Sequence, residues 1–311
     1  MIHTFVLNKS DTGFPHSLCQ LHKVPQKIYV QSRLSKADAM QLLSTPSVAV
    51  VGTRRVTSYG VFATQKIVSE MCVQSSGRIP IISGFMYGVD QVAHKAALEN
   101  DACTVAVLAH GFDRVPYRDS KLYEKLLKNY GIVISEYSPE TPAQKWMFVE
   151  RNRIIAALSE VIVVPEAAIK SGSLHTVQFG LDMGKAIAAV PGAITNPYAA
   201  GTQYLINQGA ALVSSGSDVI ALSQSLEKIG GGAAFLSKRL DEQTQKSDVI
   251  QVDSLENKLY KLLLVDSCST EHVAHALAMS VPEALRKLSI LEISGRVKRE
   301  NGQWMVQYQP T

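Results

Sequence analysis

The sequence predicts an α/β protein: an extended Rossmann-like, doubly wound and mostly parallel sheet, followed by a small carboxy-terminal winged-helix module. Three observations predict it. Short Val- and Ile-rich runs recur at intervals between residues 46 and 222. Amphipathic segments separate them, so strand and helix alternate. The last 60 or so residues abandon that rhythm for helical stretches and one hairpin signal.

The apolar runs are VAVVG from Val48, IPIIS from Ile79, TVAVLA from Thr104, GIVIS from Gly131, EVIVVP from Glu160 and AIAAVP from Ala186. Such continuous runs suit parallel strands buried on both faces. VFATQKIVSEM, VAHKAAL, SKLYEKLLKNY and LHTVQFGLDMG lie between them and read as the crossover helices. Residues 1–45 carry no comparable run and are expected to pack on the core as an extension. After Ser223 three consecutive glycines and a polar tail suggest a linker over 223–252. From Asp253 three helical stretches follow; the last opens with the capping spacing Ser280-Val281-Pro282-Glu283 and stops at Gly295. VKRENGQWMVQY then reads as a hairpin around Asn301-Gly302, which makes 253–311 a winged-helix domain.

Lys and Arg number 31 against 27 Asp and Glu, a formal charge of +4 that suits a polyanionic partner without specifying one. The four cysteines are scattered with no C-x-x-C pair, so neither a disulfide framework nor a metal site is expected, and a reducing, cytoplasmic setting fits. No basic-then-apolar leader opens the sequence and no apolar stretch approaches the ~20 residues of a membrane span.

Three loops are placed to do chemistry, because ligands of open α/β sheets sit beyond the carboxyl ends of the strands. The first, Gly52-Thr53-Arg54-Arg55-Val56-Thr57-Ser58-Tyr59-Gly60, joins two guanidinium groups to hydroxyls and glycines and suits a phosphate. The second, Ser83-Gly84-Phe85-Met86-Tyr87-Gly88-Val89-Asp90, has glycines that permit close backbone approach, while Asp90 and His94 stand i,i+4 as a local polar pair. The third, Ile169-Lys170-Ser171-Gly172-Ser173, offers a cation and adjacent donors. Between the last two, Lys145-Trp146-Met147-Phe148-Val149-Glu150-Arg151-Asn152-Arg153 interleaves aromatic and cationic residues, a composition that holds single strands. In isolation each segment is equally compatible with a turn, a core aromatic or a surface Arg–Glu pair. The chain has no G-x-G-x-x-G and no G-x-x-x-x-G-K-[ST], so dinucleotide or NTP binding gains no support and no cofactor is expected.

Together VGTRRVTSYG, SGFMYGVDQVAHKAAL, FVERNRIIAALS, EAAIKSGSLHT, AVPG and GTQYLINQGA resemble, in family order, the DNA-processing protein A (DprA/Smf) family. The resemblance implies a non-enzymatic protein that binds single-stranded DNA as a homodimer, protects it and helps load RecA recombinase in natural transformation. It assigns Arg54, Arg151, Asn152 and Lys170 as phosphate or nucleotide contacts, with Ser171, Gly172, Ser173, Gly52 and Gly84 around them. It makes Phe148 a base-stacking residue and Lys145 a further phosphate contact. Where relatives show G-L-D-x-x-Y-P-x-x-N, this chain has LAHGFDRVPYRDS, so no contact is assigned to residues 109–120. An additional amino-terminal helical domain is not expected, because the resemblance starts near the first residue. Two other readings stand beside this one. A nucleoside-monophosphate phosphoribohydrolase would use Glu136 or Glu166, but P-G-G-x-G-T-x-x-E is missing. An interaction scaffold would dock through the winged helix, whose PEALRKLSILEIS balances Arg286 and Lys287 with Glu283 and Glu292.

Overall fold

The computed structural model of the chain describes residues 2–232, 259, 262–263, 268–293, 297–300 and 302–306. It divides into two compact units, Met1–Val56 with Ala63–Glu242, and Thr57–Phe62 with Gln243–Thr311.

The first unit is built on a nine-stranded sheet of order β1-β2-β6-β5-β4-β3-β7-β8-β9. All six apolar runs form strands: β3 (Val48–Val50), β4 (Ile81–Ser83), β5 (Thr104–Leu108), β6 (Ile132–Ser135), β7 (Val161–Val164) and β8 (Ala186–Ala189). With β9 (Ala211–Leu212) they pair in parallel. Every residue of β3 to β7 is buried, as strands covered by helices on both faces require. At ~1.5–3 kcal/mol for each fully buried Val or Ile side chain, these runs supply much of the drive for folding. Residues 1–45 do more than pack on the core: β1 (His3–Asn8) and β2 (Lys27–Ser32) add two antiparallel strands beside β6. The signal of β2 is alternation rather than a run, with Ile28, Val30 and Ser32 inward and Lys27 outward.

The crossovers are α3 (Ser58–Gln74), α4 (Val89–Glu99), α5 (Ser120–Lys128), α6 (Lys145–Leu158), α7 (Ser173–Asp182) and α8 (Ala200–Asn207); α1 (His16–Cys19) and α2 (Lys36–Leu43) belong to the amino-terminal segment. Thr57 starts α3 by accepting the Gly60 N–H on its hydroxyl at 3.2 Å. From β3 the chain winds outward to β4, β5 and β6, then α6 returns it to β7 on the other side of β3. The order therefore reverses between β3 and β7, which opens a crevice at their carboxyl ends.

After α9 (Gly216–Ile220), the start of the expected linker is ordered as α10 (Gln224–Gly232), because Leu226 and Ile229 find buried positions. Residues 233–252 lie outside the described residues, as does most of the first helical stretch after Asp253. The second unit contains α11 (Thr270–Ala276), α12 (Val281–Ile293) and the antiparallel hairpin β10 (Val297–Glu300) and β11 (Gln303–Val306). Trp304 is the centre of its small core, with Leu288, Leu291 and Val297, and its indole N–H donates to Thr270 Oγ1 at 2.9 Å. Helix, helix and two-stranded wing are the expected winged-helix order; Asn301 of the turn lies outside the described residues.

Candidate nucleic-acid interface

A cleft of about 610 Å³ opens at the β3/β7 switch point, a volume typical of ligand sites. The loops after β3 and β7 form its floor and walls, and the first two turns of α6 form its side. Its lining includes Gly52, Arg54, Lys145, Phe148, Arg151, Asn152, Lys170, Ser171, Gly172 and Ser173. Ten of the eleven residues singled out from the sequence thus meet in one cavity, although they come from three segments.

Gly84 does not line it. A Cβ there would lie 2.6 Å from Arg151 Nη2 and 2.7 Å from Asp90 Oδ2, so its missing side chain makes room for a buried charge rather than for a ligand. Gly52 is constrained similarly, since an added Cβ would meet Glu166 O and Val89 Cγ2 at 2.6 Å. The first loop is held from both sides: Thr53 N–H donates to Glu166 O at 2.8 Å, and Val89 N–H donates to Thr53 O at 3.2 Å.

The basic side chains fall into two classes. Arg54, Arg55, Lys145 and Lys170 are exposed, and none is ion-paired with a carboxylate among the described residues. The Arg54 guanidinium lies 5.4 Å from the centre of the half-buried Phe148 ring, a cation–π stack. Arg151 is different. It is only 4% exposed; its Nη1 donates to Gly84 O at 2.7 Å and to Val107 O, and its Nε donates to Asn152 Oδ1 at 3.2 Å. It thereby ties α6 to the ends of β4 and β5. Asn152 passes the tie onward, donating from Nδ2 to Gly172 O at 3.3 Å in the third loop. There Ser171 and Ser173 hydroxyls meet at 2.8 Å.

Among the described residues one carboxylate, Asp90, enters the cleft. Burial raises its pKa to about 6, against the opposing pull of the Arg151 cation, and burial likewise brings Arg151 down to about 10. Asp90 and His94 do not form the local pair their spacing suggests. Asp90 Oδ2 accepts the Met86 N–H at 3.3 Å, while His94 Nδ1 lies 2.6 Å from Thr104 Oγ1. Thr104 donates its own proton to Ile81 O, so His94 donates from Nδ1 and is held neutral, its pKa pushed down to about 3 by burial and by Arg151. The two glutamates a hydrolase would use are not in the cleft lining. Glu136 is gripped by Arg153 Nη2 at 2.7 and 2.6 Å, and the buried Glu166 accepts from Asn196 at 2.9 Å. Among the described residues no cluster of His, Cys, Asp and Glu is arranged to hold a metal ion, and no helix is long and apolar enough to cross a membrane.

Comparison with known proteins places this geometry. The family model described as DNA recombination-mediator protein A matches residues 5–224, which take in the cleft and all of the sheet but the first two residues of β1. The chain belongs to that family. A second model, the DprA winged helix domain, matches residues 243–303 of this recombination-mediator family member. The DNA processing protein DprA of Streptococcus pneumoniae is 35% identical over 211 residues, covering 68% of this chain and 71% of that protein. Protein Smf of Escherichia coli is 31% identical over 283 residues, 91% of this chain and 72% of that one. A DprA of Mycobacterium tuberculosis is 31% identical over 261 residues, and there the match spans 64% of the relative's length. The crystal structure of the S. pneumoniae DprA superposes with a TM-score of 0.63 at 33% identity, over 70% of this chain and 73% of that one. A structure concerning the single-stranded DNA binding mode of DNA processing protein A from Helicobacter pylori shares the fold, with a TM-score of 0.57 at 24% identity over 79% of this chain and 97% of that one.

Sequence reasoning left out of the assigned contacts Thr53, Arg55 and Asp90, which also line the cleft. Arg55 was legible as the neighbour of Arg54. Asp90 was not, because only the fold turns the first turn of α4 toward α6.

Proposed function

We propose that this chain binds single-stranded DNA along the β3/β7 cleft, without catalytic turnover. One observation carries the reading: four exposed cations with no carboxylate partner among the described residues, Arg54, Arg55, Lys145 and Lys170, converge with Phe148 on a single cleft at the switch point. Cations that track a backbone, together with a ring that accepts a base, are the two elements of sequence-tolerant single-strand binding. In this reading the four exposed cations and the Ser171-Gly172-Ser173 loop take phosphates, and Phe148 takes a base. Arg151 adds positive charge from below, and Asn152 sets the position of the third loop. Gly52 and Gly84 provide the clearance that lets these parts meet.

The biological setting follows the family: a cytoplasmic homodimer that protects incoming single strands and helps load a RecA-type recombinase during natural transformation, with the winged helix as a partner-docking module. Titration of a fluorescent oligo(dT) and of a matched duplex at two salt concentrations tests the binding claim. Tighter, salt-sensitive binding of the single strand is expected. Preference for duplex, or an affinity indifferent to salt, would overturn it.

A further inference from the structure

The first turn of α6 carries a feature that the cleft does not use. Trp146 is 54% exposed, whereas the chain's other tryptophan, Trp304, is 1% exposed. Large aromatic rings ordinarily bury much of their surface, and this one is held in the open by specific contacts. Its indole N–H donates to Gln144 Oε1 at 2.6 Å. Tyr137 meets it edge-on, with ring centroids 6.2 Å apart and planes at 83°.

The neighbours of this aromatic pair are suited to a polyanion. Lys145, one residue before Trp146, and Val149, one turn after it, both line the cleft, so the indole stands just past its rim. Two of the nearby carboxylates are already neutralised: Glu136 by Arg153 at 2.6 Å, and Glu150 by Lys23 at 2.8 Å and Arg153 at 3.2 Å. The Tyr137 phenol stays uncharged, its pKa pushed up to about 12 by burial and by Glu136 and Glu150. On the far side, the segment 138–141 is hydrogen-bonded to 111–114: Gly111 N–H donates to Thr141 O at 2.9 Å, and Arg114 Nε to Glu140 O at 2.9 Å. This holds the exposed Arg114 against the backbone of the segment that follows Tyr137.

We propose that Trp146, braced by Tyr137, is a second base-stacking platform that carries a single strand out of the cleft over Lys145 and toward the segment containing Arg114. The proposal rests on the single-strand reading and extends it: short strands fill the cleft alone, and longer ones also engage the indole.

Trp146 reports on itself. Oligo(dT) of about 4 and about 16 nucleotides, the range of single-strand site sizes, are titrated into the full chain while tryptophan emission and the anisotropy of a labelled strand are followed together. The longer strand quenches emission, and W146F, which keeps a ring but removes the fluorophore, loses the quench and retains affinity. W146A binds the longer strand about 5- to 150-fold more weakly and the shorter one unchanged; this is the ~1–3 kcal/mol of one stacked base at ~1.4 kcal/mol per decade. Saturated binding with no quench overturns the platform while leaving the cleft reading intact. So does a W146A that binds the longer strand normally, or that weakens both lengths equally. Absence of single-strand binding by the unaltered chain overturns both.

Discussion

Arg151→Ala separates a strut from a phosphate contact. Removing the side chain leaves Gly84 O and Val107 O without a donor and leaves Asp90 buried without its neighbouring cation. Loss of one member of a buried charge arrangement costs ~3–5 kcal/mol, most of it from the groups left behind. For a unit of this size, ~1 kcal/mol moves Tm by ~2–4 °C, so a fall of roughly 6–20 °C is expected. The same variant should barely change how binding depends on salt. Four phosphates neutralised by Arg54, Arg55, Lys145 and Lys170 give a slope of log affinity against log salt near −2.8, at about −0.7 per contact. Arg54→Ala should shift the slope to about −2.1 with little change in Tm. Thermal melts by circular dichroism and anisotropy titrations at several salt concentrations measure both quantities for both variants. An Arg151→Ala protein that melts normally but loses ~0.7 from the slope would refute the argument and make Arg151 a direct phosphate ligand.

Four further outcomes follow from the same geometry. Single-strand affinity should rise by about fivefold, ~1 kcal/mol, as pH falls from 7 to 5: Asp90 is an anion above its pKa of about 6 and takes up a proton below it, so the cleft gains one positive charge. Asp90→Asn should flatten that profile, and an unchanged profile in the variant would show that another group titrates. Linkage gives stability the same sign, because a carboxyl raised from 3.8 to about 6 favours the fold at acid pH and loses that contribution as pH rises through 6. Gly84→Ala should destabilise, since its Cβ would press on Arg151 and Asp90, whereas Gly172→Ala meets nothing within 4 Å and should leave Tm within ~0.5 kcal/mol equivalent; comparable melts would discredit the clearance argument. Asn152→Ala should weaken single-strand binding by about 1 kcal/mol through the third loop without altering the salt slope, and a changed slope would mean direct contact. Truncation after Asp253 should leave oligo(dT) affinity unchanged, and a large loss would bring the winged helix into DNA binding.

Much of this was legible before any coordinates. Six apolar runs located six strands, because a strand buried on both faces must be continuously hydrophobic. The two amino-terminal strands escaped that criterion: both lie toward the edge, HTFVLN buries only Leu7, and KIYVQS buries alternate residues. Spacing also misjudged Asp90 and His94. An i,i+4 relation places two side chains on one helix face, but it does not reveal that Thr104 on β5 competes for the imidazole while Arg151 from α6 draws on the carboxylate field. Of the cleft residues, the composition of the loops and of the 145–153 stretch was enough to pick out three of the four exposed cations, Arg54, Lys145 and Lys170. It could not sort exposed from buried ones, since that depends on which face of α6 meets the sheet.

That sorting changes what the Arg151-Asn152-Arg153 stretch means. Read as a sequence it is a basic patch, yet each of the three side chains is spent inside the protein: Arg151 on the carbonyls of the second loop and β5, Asn152 on the third loop, Arg153 on Glu136 and Glu150. Their common effect is to fix the height and rotation of α6 against the sheet. Lys145 and Phe148, three residues apart, are thereby held on the cleft side of the helix, which Arg151 and Asn152 also line. A mobile α6 would pay the entropy of ordering its cation and its ring on each encounter with a ligand. A helix held by Arg151, Asn152 and Arg153 has already met that cost in folding, so the buried arginines are expected to serve affinity through position, as the exposed cations are expected to serve it through charge.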